Sequence, residues 1–125
     1  MTEQARALLL KAADVQEANG LHQQGWYDRM QQALDTPDPR KCRVCALGAI
    51  STAAGLYPNE LSSSYPGADL AREAARLLAD HLVKQGLAKP PDDGDPVRTV
   101  GVNWADKPGQ TAGSIAAVMR ATATA

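Results

Sequence analysis

A stretch without a charged side chain runs from residue 44 to residue 59 and is rich in small apolar residues. At helical period, apolar side chains fall on almost every face of residues 42–54. A helix that is apolar nearly all round is normally surrounded by its own protein. We therefore predict a central helix over residues 42–54, which the other helices of the chain cover.

Two further segments show the apolar stripe of an amphipathic helix. Residues 3 to 19 carry such a stripe, and Gly20 supplies the left-handed residue that commonly ends a helix. A second stripe runs over Leu70–Gln85, where Asp69 is the expected N-cap and Gly86 the expected stop. Each pattern predicts a helix with one face toward the core.

The remaining segments carry weaker patterns. Residues 30–34 fit a short helix, and Val97–Trp104 fits both the alternation of a strand and the spacing of a helix. A lone strand would have no partner elsewhere in the chain, so we favour a short helix there. Thr111 is the expected cap of a last helix, and residues 121–125 are expected to fray.

Together these elements predict an all-α fold. The chain of 125 residues fits one domain over residues 1–125, with four to five helices packed around residues 42–54. Its apolar share of 44% is dominated by alanine and leucine rather than by β-branched residues, a balance that favours helices over strands.

The charge balance bears on the class of partner. There are 13 basic and 14 acidic residues, so the chain lacks the basic excess by which nucleic-acid binders neutralise phosphate. No apolar run reaches the roughly 18–20 residues that span a bilayer, and the first residues lack the pattern of a signal peptide. We expect a cytoplasmic protein with reduced cysteines and with neither nucleic-acid nor membrane partners.

Cys42 and Cys45 form a C-x-x-C spacing that suits half a zinc site or a redox pair. Zinc needs two more ligands, and beyond carboxylates only His22 and His81 are available. A redox pair would follow a strand, whereas a proline-rich loop precedes these cysteines. We interpret Cys45 as a core residue and Cys42 as lying nearer the surface, and expect no metal or cofactor. Metal binding or redox sensing by Cys42 and Cys45, with His81, is the alternative.

Large aromatic residues mark candidate contact sites. Trp26, Tyr27 and Trp104 are either core anchors or part of a surface that binds a partner, together with Asp106. Gly48 costs the predicted central helix roughly 1 kcal/mol relative to alanine. We therefore expect another helix, or the ring of Trp26 or Trp104, to approach the chain closely there.

Three motifs resemble those of a small uncharacterised family found in actinobacteria and their phages. They are a C-A-L-G-A helix at Cys45–Ala49, a W-x-D segment at Trp104–Asp106, and a proline-glycine turn before Thr111. Two positions depart from the family pattern: Ala105 replaces its usual asparagine, and Gln110 stands where arginine is common. The resemblance implies an actinobacterial or phage setting and helical structure over residues 97–106, but no activity.

No phosphate-binding loop, nucleophile elbow or H-E-x-x-H motif occurs in the sequence. We therefore predict a non-enzymatic module that binds a protein partner or regulates it, with self-association as a further alternative. A DNA-binding regulator is the third hypothesis. It is disfavoured because residues 55–68 form a link much longer than the turn of a helix-turn-helix.

Overall fold

The structure, a computed structural model, describes residues 2–125, and these residues form six α-helices and no β-strand. The helices are α1 (Thr2–Asn19), α2 (Arg29–Leu34), α3 (Ala46–Ala53), α4 (Ala68–Lys84), α5 (Pro96–Val100) and α6 (Ala112–Thr124). A π-helical turn over Gly101–Ala105 follows α5 directly, so the ambiguous segment is helical. The all-α prediction is confirmed. Among the described residues, no helix has the length and apolar character needed to cross a bilayer.

Helix α1 packs against α6, α3 and α4 through its apolar stripe. Its buried side chains are Ala5, Leu8, Leu9, Ala12, Ala13 and Gln16. On the surface, the guanidinium of Arg120 in α6 bridges the carboxylates of Asp14, at 2.9 Å, and Glu17. The predicted stripe is therefore the face that holds α1 in the core, with ion pairs at its edge.

The end of the chain differs from the prediction that residues 121–125 fray. Helix α6 continues to Thr124, and Thr122 is buried. The guanidinium of Arg6 donates hydrogen bonds to the carbonyl oxygens of Thr122, Ala123 and Ala125, at 3.1, 3.2 and 2.9 Å. Arg6 thus satisfies carbonyls that the end of a helix otherwise leaves without partners.

The predicted helix over residues 42–54 is wrong at its start, because residues 42–45 are not helical. Val44 donates its N–H to the carbonyl of Gly20 at 3.1 Å, and Cys45 donates to the carbonyl of Trp26 at 3.1 Å. These bonds hold Val44 between the two arms of the loop over residues 20–28. Helix α3 therefore begins only at Ala46, with Cys45 as its N-cap.

Helix α3 is buried on nearly every side over its first six residues, Ala46–Ser51. Gly48 is its closest point of contact with another segment. A Cβ atom there would lie 2.6 Å from the carbonyl oxygen of Trp26 and 2.5 Å from Cγ2 of Val44. The expected close approach is present, but the backbone of Trp26 makes it rather than the ring.

Helix α4 begins at Ala68, earlier than the sequence predicts. Its N-cap is Gly67 at a φ of 95°, rather than Asp69. A Cβ atom on Gly67 would lie 2.6 Å from the carbonyl oxygen of Ala54, so only glycine fits both the backbone angle and the space.

Candidate functional site

A cleft of about 300 Å³ opens beside the start of α3 and is the candidate site. Three parts of the chain line it, which we call the first wall (Gly25 and Trp26), the floor (Cys45 and Leu47) and the second wall (α5 with the π-helical turn). The second wall carries Asp95, Val97, Arg98, Gly101, Val102 and Asp106. The fold thus brings together three residues singled out in the sequence: Trp26, Cys45 and Asp106.

The two walls are tied together beside the cleft. The Gln23 side-chain amide donates to the carbonyls of Ala105 and Lys107, at 3.0 and 2.9 Å. The backbone N–H of Gln24 donates to Oδ1 of Asp106 at 2.9 Å, and Gln24 has a φ of 65°. Left-handed residues other than glycine and π-helical turns are both enriched at functional sites. Their coincidence here marks the cleft as the candidate.

Two carboxylates and one guanidinium line the cleft. Oδ1 of Asp95 accepts the N–H of Val97 at 3.0 Å and so caps α5. Arg98 lies 3.7 Å from a carboxylate oxygen of Asp93, outside the lining. The two carboxylates and the one guanidinium together leave one net negative charge in the cleft lining.

The thiol of Cys45 lies on the cleft floor and is bonded within its own helix. Its Sγ accepts the N–H of Gly48 at 3.2 Å. Burial, with a smaller contribution from the nearby charge of Asp106, raises the pKa of Cys45 to about 11. The thiol is therefore protonated at neutral pH.

Cys42 and His81 do not join Cys45 in a common site. Cys42 is fully buried, contrary to the expected surface position, because its Sγ donates to the carbonyl of Thr36 at 3.3 Å. Burial also raises its pKa. His81 is half-buried in a different cleft, beside Arg6 and Lys84. Among the described residues, no group of three or more histidine, cysteine or acidic side chains is arranged to hold a metal ion.

The raised pKa of Cys45 predicts a loss of stability in alkali. An unfolded thiol has a pKa near 9.0, whereas the folded one keeps its proton until about pH 11. The contribution of the thiol is therefore complete below about pH 9 and is lost as pH rises through about 11. We expect the free energy of unfolding of the wild type, relative to Cys45→Ser, to fall by roughly 2–3 kcal/mol between these limits.

Serine is the matched control, because it keeps an N-cap oxygen and removes the titrating thiol. Urea unfolding of both proteins at a series of pH values measures the difference, in which lysine and tyrosine titrations cancel. A difference that stays constant across this range would contradict a buried, protonated Cys45.

The other aromatic candidates lie away from the cleft surface. Trp104 is 3% exposed and belongs to the core, and the side-chain amide of Gln110 donates to its carbonyl at 3.2 Å. The hydroxyl of Tyr27 donates to the side-chain carbonyl of Gln32 at 3.0 Å, which ties it to α2. Arg98 and Val102 were not expected at the site, because no local pattern links α5 to the loop around Trp26.

Helix α2 presents its apolar side to solvent. Ala33, Met30 and Leu34 lie within an arc of about 100° on the helix surface, and no residue of α2 is buried. Met30 is 68% exposed and Leu34 is 78% exposed. The orientation is the reverse of that in an ordinary amphipathic surface helix, whose apolar stripe faces the core.

Polar side chains hold α2 in this orientation. Oε1 of Gln31 accepts the backbone N–H of Arg43 at 2.7 Å, and the amide of Gln32 donates to the carbonyl of Pro37 at 3.2 Å. Asp28 caps the helix by accepting the N–H of Gln31 at 3.0 Å, and it also accepts from the guanidinium of Arg43 at 2.7 Å. Hydrogen bonds rather than apolar burial therefore fix α2 on the body of the protein.

The fold and its surfaces define a small all-α protein with an open cleft and an outward-facing apolar helix. The model of the Family of unknown function (DUF6197) matches residues 1–125, so the chain belongs to that family. Comparison with curated proteins and with solved structures gives no significant match. The predicted resemblance is thus confirmed at the level of a family to which no function is assigned.

Proposed function

We propose that this protein is a non-enzymatic binding or regulatory module that contacts a partner protein through α2. The observation that carries the proposal is the reversed amphipathicity of α2, with Gln31 and Gln32 toward the body and Met30 and Leu34 toward solvent. Exposed apolar groups held in a fixed geometry are typical of protein-interaction sites. The fixed geometry also lowers the entropy lost on binding.

The size of α2 favours a larger partner over a second copy of the chain. Six residues of α-helix extend only about 9 Å, so two paired copies of α2 alone would bury far less than the ~1,200 Å² of a stable dimer. A partner with an apolar groove can surround Met30 and Leu34 on several sides. Helix-in-groove recognition works in this way.

The setting of the proposal comes from the sequence. The motifs at Cys45–Ala49 and Trp104–Asp106 resemble those of actinobacterial and actinophage proteins, so we propose an accessory role in a host cytoplasm. A fold organised around α3 is part of the same proposal, supported by the burial of Ala46–Ser51.

Substitution of Leu34 by aspartate is the direct test. A charge in an apolar contact has to be desolvated on binding, so we expect the affinity for the partner to fall at least about tenfold. Leu10→Asp is the matched control, because Leu10 is also partly exposed, at 42%, but lies on α1. Quantitative affinity purification from cells of the encoding organism identifies proteins lost only with Leu34→Asp.

Calorimetry with the purified partner then measures the change in affinity, and light scattering of the protein alone reports self-association. Equal affinity of the wild type and Leu34→Asp for every captured partner would contradict the proposal. A stable dimer that Leu34→Asp dissociates would replace it with self-association through α2.

A further inference from the structure

We infer that the cleft beside α3 binds a long basic side chain, arginine or lysine, presented by a polypeptide. The inference is independent of the partner surface on α2. The volume of about 300 Å³ is at the low end of the range for ligand clefts, which suits one extended side chain better than a whole cofactor.

The walls suit the apolar stem of such a side chain. Val97 and Val102 belong to the second wall, and Leu47 belongs to the floor. Val102 is 65% exposed, so the apolar lining continues to the mouth of the cleft. The methylene groups of arginine or lysine pack along apolar surface in this way while the charged head remains beside polar groups.

The carboxylates supply the complementary charge. Oδ1 of Asp95 and Oδ1 of Asp106 accept backbone N–H groups of Val97 and Gln24. The second oxygen of each carboxylate accepts no hydrogen bond from the described part of the chain, so it is available to a cation. Arg98, which also lines the cleft and lies 3.7 Å from Asp93, offsets only one of the two carboxylates, so the lining keeps one net negative charge.

Trp26 favours a cation as well. It is one of the lining residues, and an aromatic ring attracts ammonium and guanidinium groups. Cys45 is a neutral thiol and adds no positive charge to the cleft. The cleft therefore combines an apolar channel, an aromatic wall and net negative charge.

An NMR titration with small probes tests the inference. The probes are N-acetyl-arginine amide, N-acetyl-lysine amide and the uncharged N-acetyl-norleucine amide, which retains an apolar stem. We expect the basic probes to shift the indole N–H signal of Trp26 saturably, with dissociation constants at least about fivefold lower than that of the norleucine probe.

The double variant Asp95→Asn, Asp106→Asn isolates the role of charge, because asparagine keeps the oxygen that accepts each backbone N–H. We expect it to weaken binding of the basic probes at least about fivefold. The control Asp80→Asn, Asp92→Asn removes the same charge from positions outside the lining and is expected to bind like the wild type.

Three results would overturn the inference. They are equal binding of the norleucine probe, unchanged binding by the Asp95 and Asp106 double variant, and absence of shifts at the cleft up to about 50 mM probe. None of them bears on α2, and Leu34→Asp is expected to bind the probes normally. Failure here is therefore distinguishable from failure of the proposed protein partner.

Discussion

Replacement of Gly48 by leucine is expected to lower the free energy of unfolding by at least about 3 kcal/mol, or about 10 °C in melting temperature. The side chain has no space, since a Cβ atom would lie 2.6 Å from the Trp26 carbonyl oxygen and 2.5 Å from Val44 Cγ2. Neither neighbour can move freely. The carbonyl accepts the N–H of Cys45, and Val44 is fully buried.

Gly113→Leu is the matched control for Gly48→Leu. Gly113 lies exposed in α6, and a Cβ atom there would meet only the hydroxyl oxygen of Thr111 at 3.8 Å, an ordinary contact. Because leucine has the higher helix propensity, we expect the control to be neutral or slightly stabilising. Thermal and urea unfolding followed by circular dichroism compare the two variants. An unchanged melting temperature for Gly48→Leu would contradict the proposed role of α3 as the centre of packing.

The sequence predicts the long helices well because their evidence is local. The stripe of α1 and the alternation of charged and apolar residues in α4 each arise within one segment, and both helices occur near the expected positions. The predicted start of α3 was wrong because it depends on contacts between segments that are distant in the sequence. Hydrogen bonds that Val44 and Cys45 donate to the carbonyls of Gly20 and Trp26 hold this backbone in a non-helical conformation, and no local pattern predicts a pairing between separate loops.

The orientation of α2 also depends on contacts that a local sequence pattern does not contain. A short apolar pattern over residues 30–34 predicts a helix, and by default its apolar face points inward. Gln31 instead points inward, because it accepts the N–H of Arg43, a partner that the fold provides, and Gln32 bonds to the nearby carbonyl of Pro37. The sequence pattern alone therefore does not predict that the apolar face of α2 is exposed to solvent.

The cleft is likewise a product of tertiary structure. The sequence singles out Trp26 and Asp106, although they lie far apart in the chain, because of their residue types. It does not show that Gln23 and Gln24 join their two segments. No motif in the sequence marks Asp95 as a site residue. Its place on the wall depends on how α5 packs against α3 and α4.

Truncation of Trp104 to alanine is the second large expected effect, a loss of about 3–5 kcal/mol in the free energy of unfolding. The indole is 3% exposed, and its neighbour Ala105 is also buried. Removal of the ring therefore leaves a cavity inside the core. The wild type and Trp104→Ala are compared by urea unfolding followed by far-UV circular dichroism, which does not depend on the missing fluorophore.

Trp26→Ala is the control that separates core from surface. Trp26 is only half-buried and borders the cleft, so its truncation is expected to lower stability by less than that of Trp104.

The same pair of variants assigns the fluorescence emission to the two tryptophans. Iodide should quench the emission that remains in Trp104→Ala, which comes from Trp26, and should barely affect the emission in Trp26→Ala. If Trp104→Ala were as stable as the wild type and its partner affinity fell, Trp104 would be a contact residue rather than a core anchor.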